Sequence, residues 1–163
     1  MRPRKHEYVR SAGDFAWLPG ARDAISRLAR AGFALAVVSN QRGVARGLVT
    51  RHTLSEVEVR IQRDLRPLGC SIAAFRYCPH EAHEECECRK PRPGMLLELA
   101  AALDVDLPSS WMVGDAETDV LAGAAAGCRT ALIGGAAQGV RPDVVAASLA
   151  DASALITAEL ATA

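Results

Sequence analysis

Short apolar runs alternate along this chain with longer stretches whose apolar residues recur at helical spacing. The runs cover residues 33–38, 72–77, 111–113 and 130–133, and the helical patterns cover 21–29, 53–68, 93–103 and 117–126. Short unbroken apolar runs beside helices are typical of parallel strands that are buried on both faces. Their regular alternation predicts an α/β fold, Rossmann-like and doubly wound, with a mostly parallel sheet.

Capping and terminating residues mark the ends of these helices. Residues 53–56, Thr-Leu-Ser-Glu, form a capping-box pattern that predicts the start of the second helix, and Asp151 is expected to cap a last one. Gly32, Gly69 and Gly127 each follow a helical pattern, where a glycine is favoured just beyond the helix end. Because the connections are short and no linker separates them, residues 1–163 are predicted to form a single domain.

The charge balance narrows the classes of partner. The chain has 19 Lys and Arg against 19 Asp and Glu, so no net charge attracts nucleic acid or an anionic membrane surface. Half of the residues are apolar, but Arg, Asp, Gly or Pro interrupts every apolar run, which excludes a transmembrane helix. The first seven residues are not followed by an apolar stretch, so no secretory signal is predicted and a cytoplasmic location is expected.

Polar side chains follow three of the predicted strands. Ser39-Asn40 comes after the first, Cys78-Pro79-His80 after the second, and Asp115 after the third. In sheets of this kind, ligands bind beyond the carboxyl ends of the strands. The same residue types also occupy ordinary turns, but their presence at three strand ends favours a ligand site at this edge.

A metal-binding pattern occupies residues 78–88. Its members, Cys78, His80, Cys86 and Cys88, supply three thiolates and one imidazole, a standard tetrahedral set for Zn²⁺. His83 is an alternative to His80 as the nitrogen ligand. Four protein ligands leave no coordination position for water, so the metal is expected to hold the loop rather than perform chemistry.

A second group of residues has the chemistry of a phosphate site. Ser39 and Asn40 offer hydroxyl and amide donors, and Lys90, one of only two lysines in the chain, offers a cation. Asp115, with Glu117 and Asp119 nearby, offers the carboxylate oxygen that Mg²⁺ prefers. The order of these residues, each beside a predicted strand or helix, predicts phosphate and Mg²⁺ binding.

The residues of these segments and their order resemble the sequence motifs of the haloacid dehalogenase (HAD) superfamily. Within it, the chain is similar to the group of D-glycero-D-manno-heptose 1,7-bisphosphate 7-phosphatases and histidinol-phosphate phosphatases. The resemblance implies a HAD-like fold with a small zinc loop, a monomeric state, and Mg²⁺ and Zn²⁺ as cofactors. The segments that carry it are residues 38–47 (VSNQRGVARG), 77–80 (YCPH), 86–95 (CECRKPRPGM) and 112–119 (MVGDAETD).

By this resemblance, several residues acquire roles. Ser39 is implied as the phosphate-binding hydroxyl with Asn40 beside it, and Lys90 as the cation that neutralises the transferring phosphoryl group. Asp115 is implied as the Mg²⁺ ligand, with Asp119 in support. Substrate contacts are implied for Asn40 and Lys90 as well, and for three further positions of these segments, namely Gln41, Arg46 and Arg89.

One family element has no counterpart in the printed sequence. The family has an apolar strand that ends in Asp-x-Asp-Gly, whose first Asp attacks phosphorus and whose second acts as acid and base. Asp104-Val105-Asp106 has this spacing, but no apolar strand leads into it. We therefore expect that the first central strand is missing, and that Met1 lies downstream of the true start or the chain is a fragment.

Two classes of function follow from the residues and the resemblance. The first is an Mg²⁺-dependent sugar-phosphate phosphatase, a hydrolase with heptose 1,7-bisphosphate as the preferred substrate and histidinol phosphate as the alternative. The second is a zinc-stabilised, catalytically silent domain that binds phosphate. The 163-residue chain is expected to show no turnover, because the nucleophile and the acid–base Asp are absent from it.

Overall fold

The structure, a computed structural model, describes residues 8–136 and 139–160. The chain forms two compact units, Met1–Glu84 and Glu85–Ala163. Among the described residues, no helix combines the length and the apolar character needed to cross a membrane. The prediction of a single domain over residues 1–163 stays a prediction.

In the first unit, helices and strands alternate as predicted. The regular elements are α1 (Ala21–Arg30), β1 (Ala36–Asn40), α2 (Arg51–Leu65) and β2 (Ala74–Cys78), with 3-10 turns at Ala12–Asp14, Arg66–Leu68 and Ala82–Glu84. Strands β1 and β2 are parallel, and Ser39 lies opposite Tyr77 while Asn40 lies opposite Cys78. The parallel register places the residues that follow both strands at the same edge.

The start of α2 differs from the prediction. Thr50 is the N-cap residue, and its Oγ1 accepts a hydrogen bond from the Thr53 backbone N–H over 3.0 Å. The capping box predicted at residues 53–56 is therefore wrong, because those residues already lie inside the helix, which begins at Arg51. Gly69 ends the following 3-10 turn with φ of 70°, the left-handed conformation that glycine adopts without strain.

The core of the first unit forms along one face of α2. Val57, Ile61 and Leu65 recur every four residues, and all three are buried together with Ile72. Burial of each such side chain stabilises the fold by about 1.5–3 kcal/mol. The segment before α1 packs against the same cluster, and the Trp17 indole N–H donates to Asp64 Oδ2 over 3.0 Å.

The second unit contains a three-stranded parallel sheet. Its elements are α3 (Gly94–Leu103), β3 (Trp111–Gly114), α4 (Glu117–Ala126), β4 (Arg129–Ile133), β5 (Val144–Ala146) and α5 (Leu149–Leu160). The strand order is β3-β4-β5, and both ladders are parallel. The strand β5 was not predicted, because its three residues are too few to form a recognisable pattern.

The ends of the second unit's helices confirm one expectation and correct another. Gly127 follows α4 with φ of 84°, as the sequence predicts. The cap of α5 is Ser148 rather than Asp151, because Ser148 Oγ accepts a hydrogen bond from the Asp151 backbone N–H over 3.2 Å. Asp151 Oδ2 in turn accepts from the Ser148 hydroxyl over 2.7 Å, so it supports the cap from within the first turn.

Asp104 and Asp106 belong to a turn. Asp104 follows α3 in the left-handed region, with φ of 52°. Asp106 Oδ2 accepts hydrogen bonds from the Ser109 backbone N–H and hydroxyl over 3.1 and 2.5 Å, which is ordinary turn chemistry. The next strand begins only at Trp111, so this pair does not lie at the carboxyl end of a strand.

Candidate active site

Residues at the carboxyl ends of β1 and β2 are joined by hydrogen bonds; Ser39, Asn40 and Cys78, which were predicted to follow the strands, are their last residues. The Gln41 side-chain amide donates to Ser39 Oγ over 3.0 Å. The Gln41 backbone N–H donates to the Cys78 carbonyl over 2.7 Å, which ties the loop after β1 to the end of β2. The structure thus brings Ser39, Asn40 and Gln41 to the same strand end, where ligands bind in parallel α/β sheets.

The loop over residues 41–50 is ordered by its own backbone. The Val44 N–H donates to the Gln41 carbonyl over 3.0 Å, and the N–H groups of Leu48 and Val49 donate to the Gly43 carbonyl over 2.9 and 3.0 Å. Gly43 also lies against the Tyr8 ring, since a Cβ at that position would lie 2.7 Å from a ring carbon. These contacts fix the backbone from which the side chains of the loop extend.

Arg46 extends from this loop and forms an ion pair with Glu81. Its Nη1 also donates to Tyr8 Oη over 3.3 Å. The hydrogen bond to Glu81 raises the pKa of Arg46, and the same bond lowers the pKa of Glu81. The Arg46 side chain remains 45% exposed, so its guanidinium is accessible to a dissolved anion.

The four residues of the zinc pattern lie together in the loop after β2. The candidate ligand atoms of Cys78, His80, Cys86 and Cys88 all lie within 4.8 Å of one another. Cys86 Sγ is 3.4 Å from Cys88 Sγ, and Cys78 Sγ is 3.6 Å from His80 Nδ1. Ligands on a Zn²⁺ tetrahedron with bonds near 2.3 Å are about 3.8 Å apart, so the arrangement fits this ion.

Arg92 and Gly94 support the second half of this loop. The Arg92 guanidinium donates to the carbonyl of Cys86 over 3.0 Å and also to that of Glu85. The Gly94 N–H donates to the Glu87 carbonyl over 3.2 Å, and a Cβ at Gly94 would overlap that carbonyl. Neither residue has a role that its sequence pattern predicts, although both lie in residues 89–94 (RKPRPG), which connect the last cysteine pair to the start of α3.

Lys90 and Asp119 form a nearly buried ion pair in the second unit. Lys90 Nζ lies 2.6 Å from Asp119 Oδ1, and the two side chains are only 10% and 7% exposed. Asp119 Oδ2 also accepts a hydrogen bond from the Ala116 N–H over 3.1 Å, so the carboxylate caps the start of α4. A Cβ at Gly114 would overlap this carboxylate, which shows how closely the end of β3 approaches it.

Asp115 follows β3 directly and is exposed. Its position at the carboxyl end of the strand is the one that the sequence predicts for an Mg²⁺ ligand. The carboxylate of Asp119 is bound to Lys90 and to the start of α4, so its support of Mg²⁺ stays a prediction. Arg89 lies at the turn before α3, where its carbonyl accepts from the Arg92 N–H over 2.9 Å.

A cleft of about 280 Å³ lies between α2 and β2. Tyr77 forms part of its wall, and burial together with a hydrogen bond to Glu58 raises the pKa of this phenol. The cleft also has two basic residues, Arg51 and Arg76, on its surface. It was not anticipated from the sequence, because its lining comes from residues that are far apart along the chain.

The HAD-hydrolase-like family model matches residues 87–152. The D-glycero-beta-D-manno-heptose-1,7-bisphosphate 7-phosphatase of Pseudomonas putida is 36% identical over 126 residues, which cover 77% of this chain and 72% of the relative. The enzyme of the same name from Bordetella bronchiseptica is 39% identical over 126 residues, or 77% of this chain and 70% of the relative.

A solved structure shows the same relationship. The D,D-heptose 1,7-bisphosphate phosphatase of B. bronchiseptica, complexed with magnesium and phosphate, superposes with a TM-score of 0.83 at 34% sequence identity. The match covers 93% of this chain and 89% of that one. The likeness therefore extends over nearly all of the fold and beyond the segment that the family model matches.

Proposed function

The chain belongs to the HAD-like hydrolase family, and we propose that its site accepts a phosphorylated sugar, with D-glycero-D-manno-heptose 1,7-bisphosphate as the preferred ligand. The main support is the likeness to the heptose bisphosphate phosphatase of B. bronchiseptica, at 34% identity over 93% of this chain. That protein is complexed with magnesium and phosphate. In this chain, Ser39, Asn40 and Lys90 would bind the phosphate group, and Asp115 would hold the magnesium ion.

Each unit offers groups that suit a phosphate ester. Ser39 Oγ and the amide groups of Asn40 and Gln41 would donate hydrogen bonds to phosphate oxygens. Lys90 would supply positive charge, and Asp119 holds its ammonium group in one position through a 2.6 Å contact. Phosphoryl transfer depends mainly on positioning and on charge neutralisation, so fixed donors of this kind suit the reaction.

The two metals would have separate roles. Asp115 would hold Mg²⁺, which when bound supplies charge neutralisation for phosphoryl oxygens. Cys78, His80, Cys86 and Cys88 would hold Zn²⁺, and a set of four protein ligands makes that site structural. Arg46 and Arg89 would contact the remainder of the substrate.

In the family that this chain resembles, hydrolysis passes through an aspartyl-phosphate. The sequence of this chain has no Asp-x-Asp-Gly motif to supply the aspartate. We propose that the 163-residue chain binds the ester without turning it over. A direct test measures Kd by calorimetry, in the presence of Mg²⁺, for heptose 1,7-bisphosphate and for histidinol phosphate. At least tenfold tighter binding of the heptose ester supports the proposal, whereas equal or reversed affinities would contradict the substrate assignment.

The same protein is then assayed for phosphate release. Absence of turnover in a chain that binds the ester agrees with the missing nucleophile. Robust Mg²⁺-dependent release that Asp115→Asn abolishes would instead show that this chain is an active phosphatase, and it would overturn the proposal of silence. The matched control is Asp106→Asn, which alters a carboxylate in a turn away from the strand ends.

A further inference from the structure

Arg46 and Glu81 join the two loops that follow β1 and β2 in the first unit. Arg46 belongs to the loop after β1, and Glu81 lies three residues beyond the end of β2. Because the two strands are parallel, their carboxyl ends share one edge, and the ion pair lies where an anionic ligand would enter. The Glu81 carboxylate thus pairs with the Arg46 guanidinium at the edge of the sheet where ligands bind.

The surroundings of Glu81 are basic. Arg42 and His83 both lie close enough to interact electrostatically with its carboxylate, in addition to Arg46. The backbone N–H of Glu81 donates to Glu84 Oε2 over 2.6 Å, which fixes the turn that carries it. Glu81 therefore occupies the position that an external anion would take among these groups.

A phosphate group is the stronger partner for such a guanidinium. It carries more negative charge than a carboxylate, and like a carboxylate it binds arginine through two parallel hydrogen bonds. The Arg46 side chain is 45% exposed and the Glu81 side chain 19%, so an incoming ligand reaches the arginine without unfolding the loop. Because an exposed ion pair contributes little to stability, replacing Glu81 by a ligand anion costs little free energy.

We propose that Glu81 is a specificity-determining residue: it competes for Arg46, and a phosphate-bearing ligand must displace it to bind this loop. The cost of displacing Glu81 is the same for every anion, so anions that bind Arg46 weakly, such as acetate, leave the ion pair intact, whereas phosphate esters displace it. The proposal rests on the proposed function only for the identity of the phosphate-bearing ligand. It assigns Glu81 no part in the chemical step.

The test measures the Kd of inorganic phosphate and of acetate for the full chain by calorimetry. Glu81→Gln removes the competing charge and should lower the Kd for phosphate about two- to fivefold, the range expected when an exposed ion pair is lost. Glu56→Gln is the matched control, because it changes the net charge equally and its partner is His52 rather than Arg46. Zinc content is measured in every variant, since Glu81 follows His80.

The role of Arg46 is isolated by a double-mutant cycle. In an Arg46→Gln background, Glu81→Gln should leave the Kd for phosphate unchanged. An unchanged or higher Kd for phosphate in Glu81→Gln alone, an equal gain without Arg46, or a wild-type Kd for acetate as low as that for phosphate would each overturn the proposal. If the cycle behaves as expected while heptose bisphosphate and histidinol phosphate bind equally, this inference stands and the proposed substrate fails.

Discussion

Lys90 and Asp119 form a 2.6 Å ion pair from which water is almost completely excluded. Lys90 precedes α3 and Asp119 lies in the first turn of α4, so the pair connects two elements of the second unit. Its carboxylate has two partners, the ammonium group and the Ala116 N–H. This pairing fixes the Lys90 ammonium group at the start of α4, and the exposed Asp115 lies two residues before the first residue of that helix.

Asp119→Asn should destabilise the second unit and weaken phosphate binding. The amide can still accept from the Ala116 N–H, but it leaves the buried Lys90 ammonium without its negative partner. Removal of one member of a buried ion pair typically destabilises a protein by about 3–5 kcal/mol. The thermal unfolding midpoint and the Kd for inorganic phosphate are the two measurements.

The matched variant is Lys90→Met with Asp119→Asn, which removes both charges and keeps a side-chain oxygen that can accept from the Ala116 N–H. It should recover part of the stability lost in Asp119→Asn, because no buried charge is left without its partner, but it should not recover phosphate binding. If Asp119→Asn unfolds at the wild-type temperature and binds phosphate equally well, the pair has neither the structural nor the positioning role assigned to it.

Cys86→Ser should lower both the zinc content and the stability of the chain. A serine hydroxyl is a poor Zn²⁺ ligand, and metal binding at a structural site contributes directly to folding. Cys128→Ser is the control, because Cys128 is free and lies outside the cluster of four. Zinc per chain is measured by mass spectrometry, and one equivalent retained in Cys86→Ser would refute the ligand assignment.

Gly94→Ala should loosen the cysteine loop. A Cβ at this position would overlap the Glu87 carbonyl, so the backbone must move, and strain of this kind typically destabilises by about 1–3 kcal/mol. Gly135→Ala is the control, because a Cβ there meets no atom within 4 Å. We expect weaker zinc retention against a chelator in Gly94→Ala alone. Equal retention in the two variants would show that the close approach is unimportant.

The alternation of helices and strands was predictable because it follows from the spacing of apolar residues within short segments. Strand β5 was missed because three residues form no pattern, and the start of α2 was misplaced because Thr50 and Thr53 are both suitable caps. The hydrogen bond from the Thr53 backbone N–H to the Thr50 hydroxyl identifies Thr50 as the cap, and this bond cannot be read from the residue types. Ser148 and Asp151 were confused for the same reason, since both take part in one cap.

The grouping of the candidate zinc ligands was predictable because these residues are close in sequence. Cys78, His80, Cys86 and Cys88 lie within eleven positions, and the structure brings their candidate ligand atoms within 4.8 Å of one another. Lys90 and Asp119 were both singled out, but their contact depends on the packing of α4 and was not foreseen. Glu81 was missed because it is one of several glutamates in the segment EAHEECE, and only the fold places it on Arg46.

Asp143 should make the stability of the second unit depend on acid pH. Its Oδ2 accepts hydrogen bonds from the Thr130 backbone N–H and hydroxyl over 2.7 and 2.9 Å, and these bonds lower its pKa below the ordinary value of 3.8. Because the folded-state pKa is the lower one, the contribution is complete above pH 3.8 and disappears as the pH falls through the folded-state pKa. The difference in unfolding midpoint between wild type and Asp143→Asn should therefore be constant from pH 7 to about pH 5 and shrink below about pH 4. A difference that stays constant down to about pH 2 would show that the charge of Asp143 does not stabilise the fold.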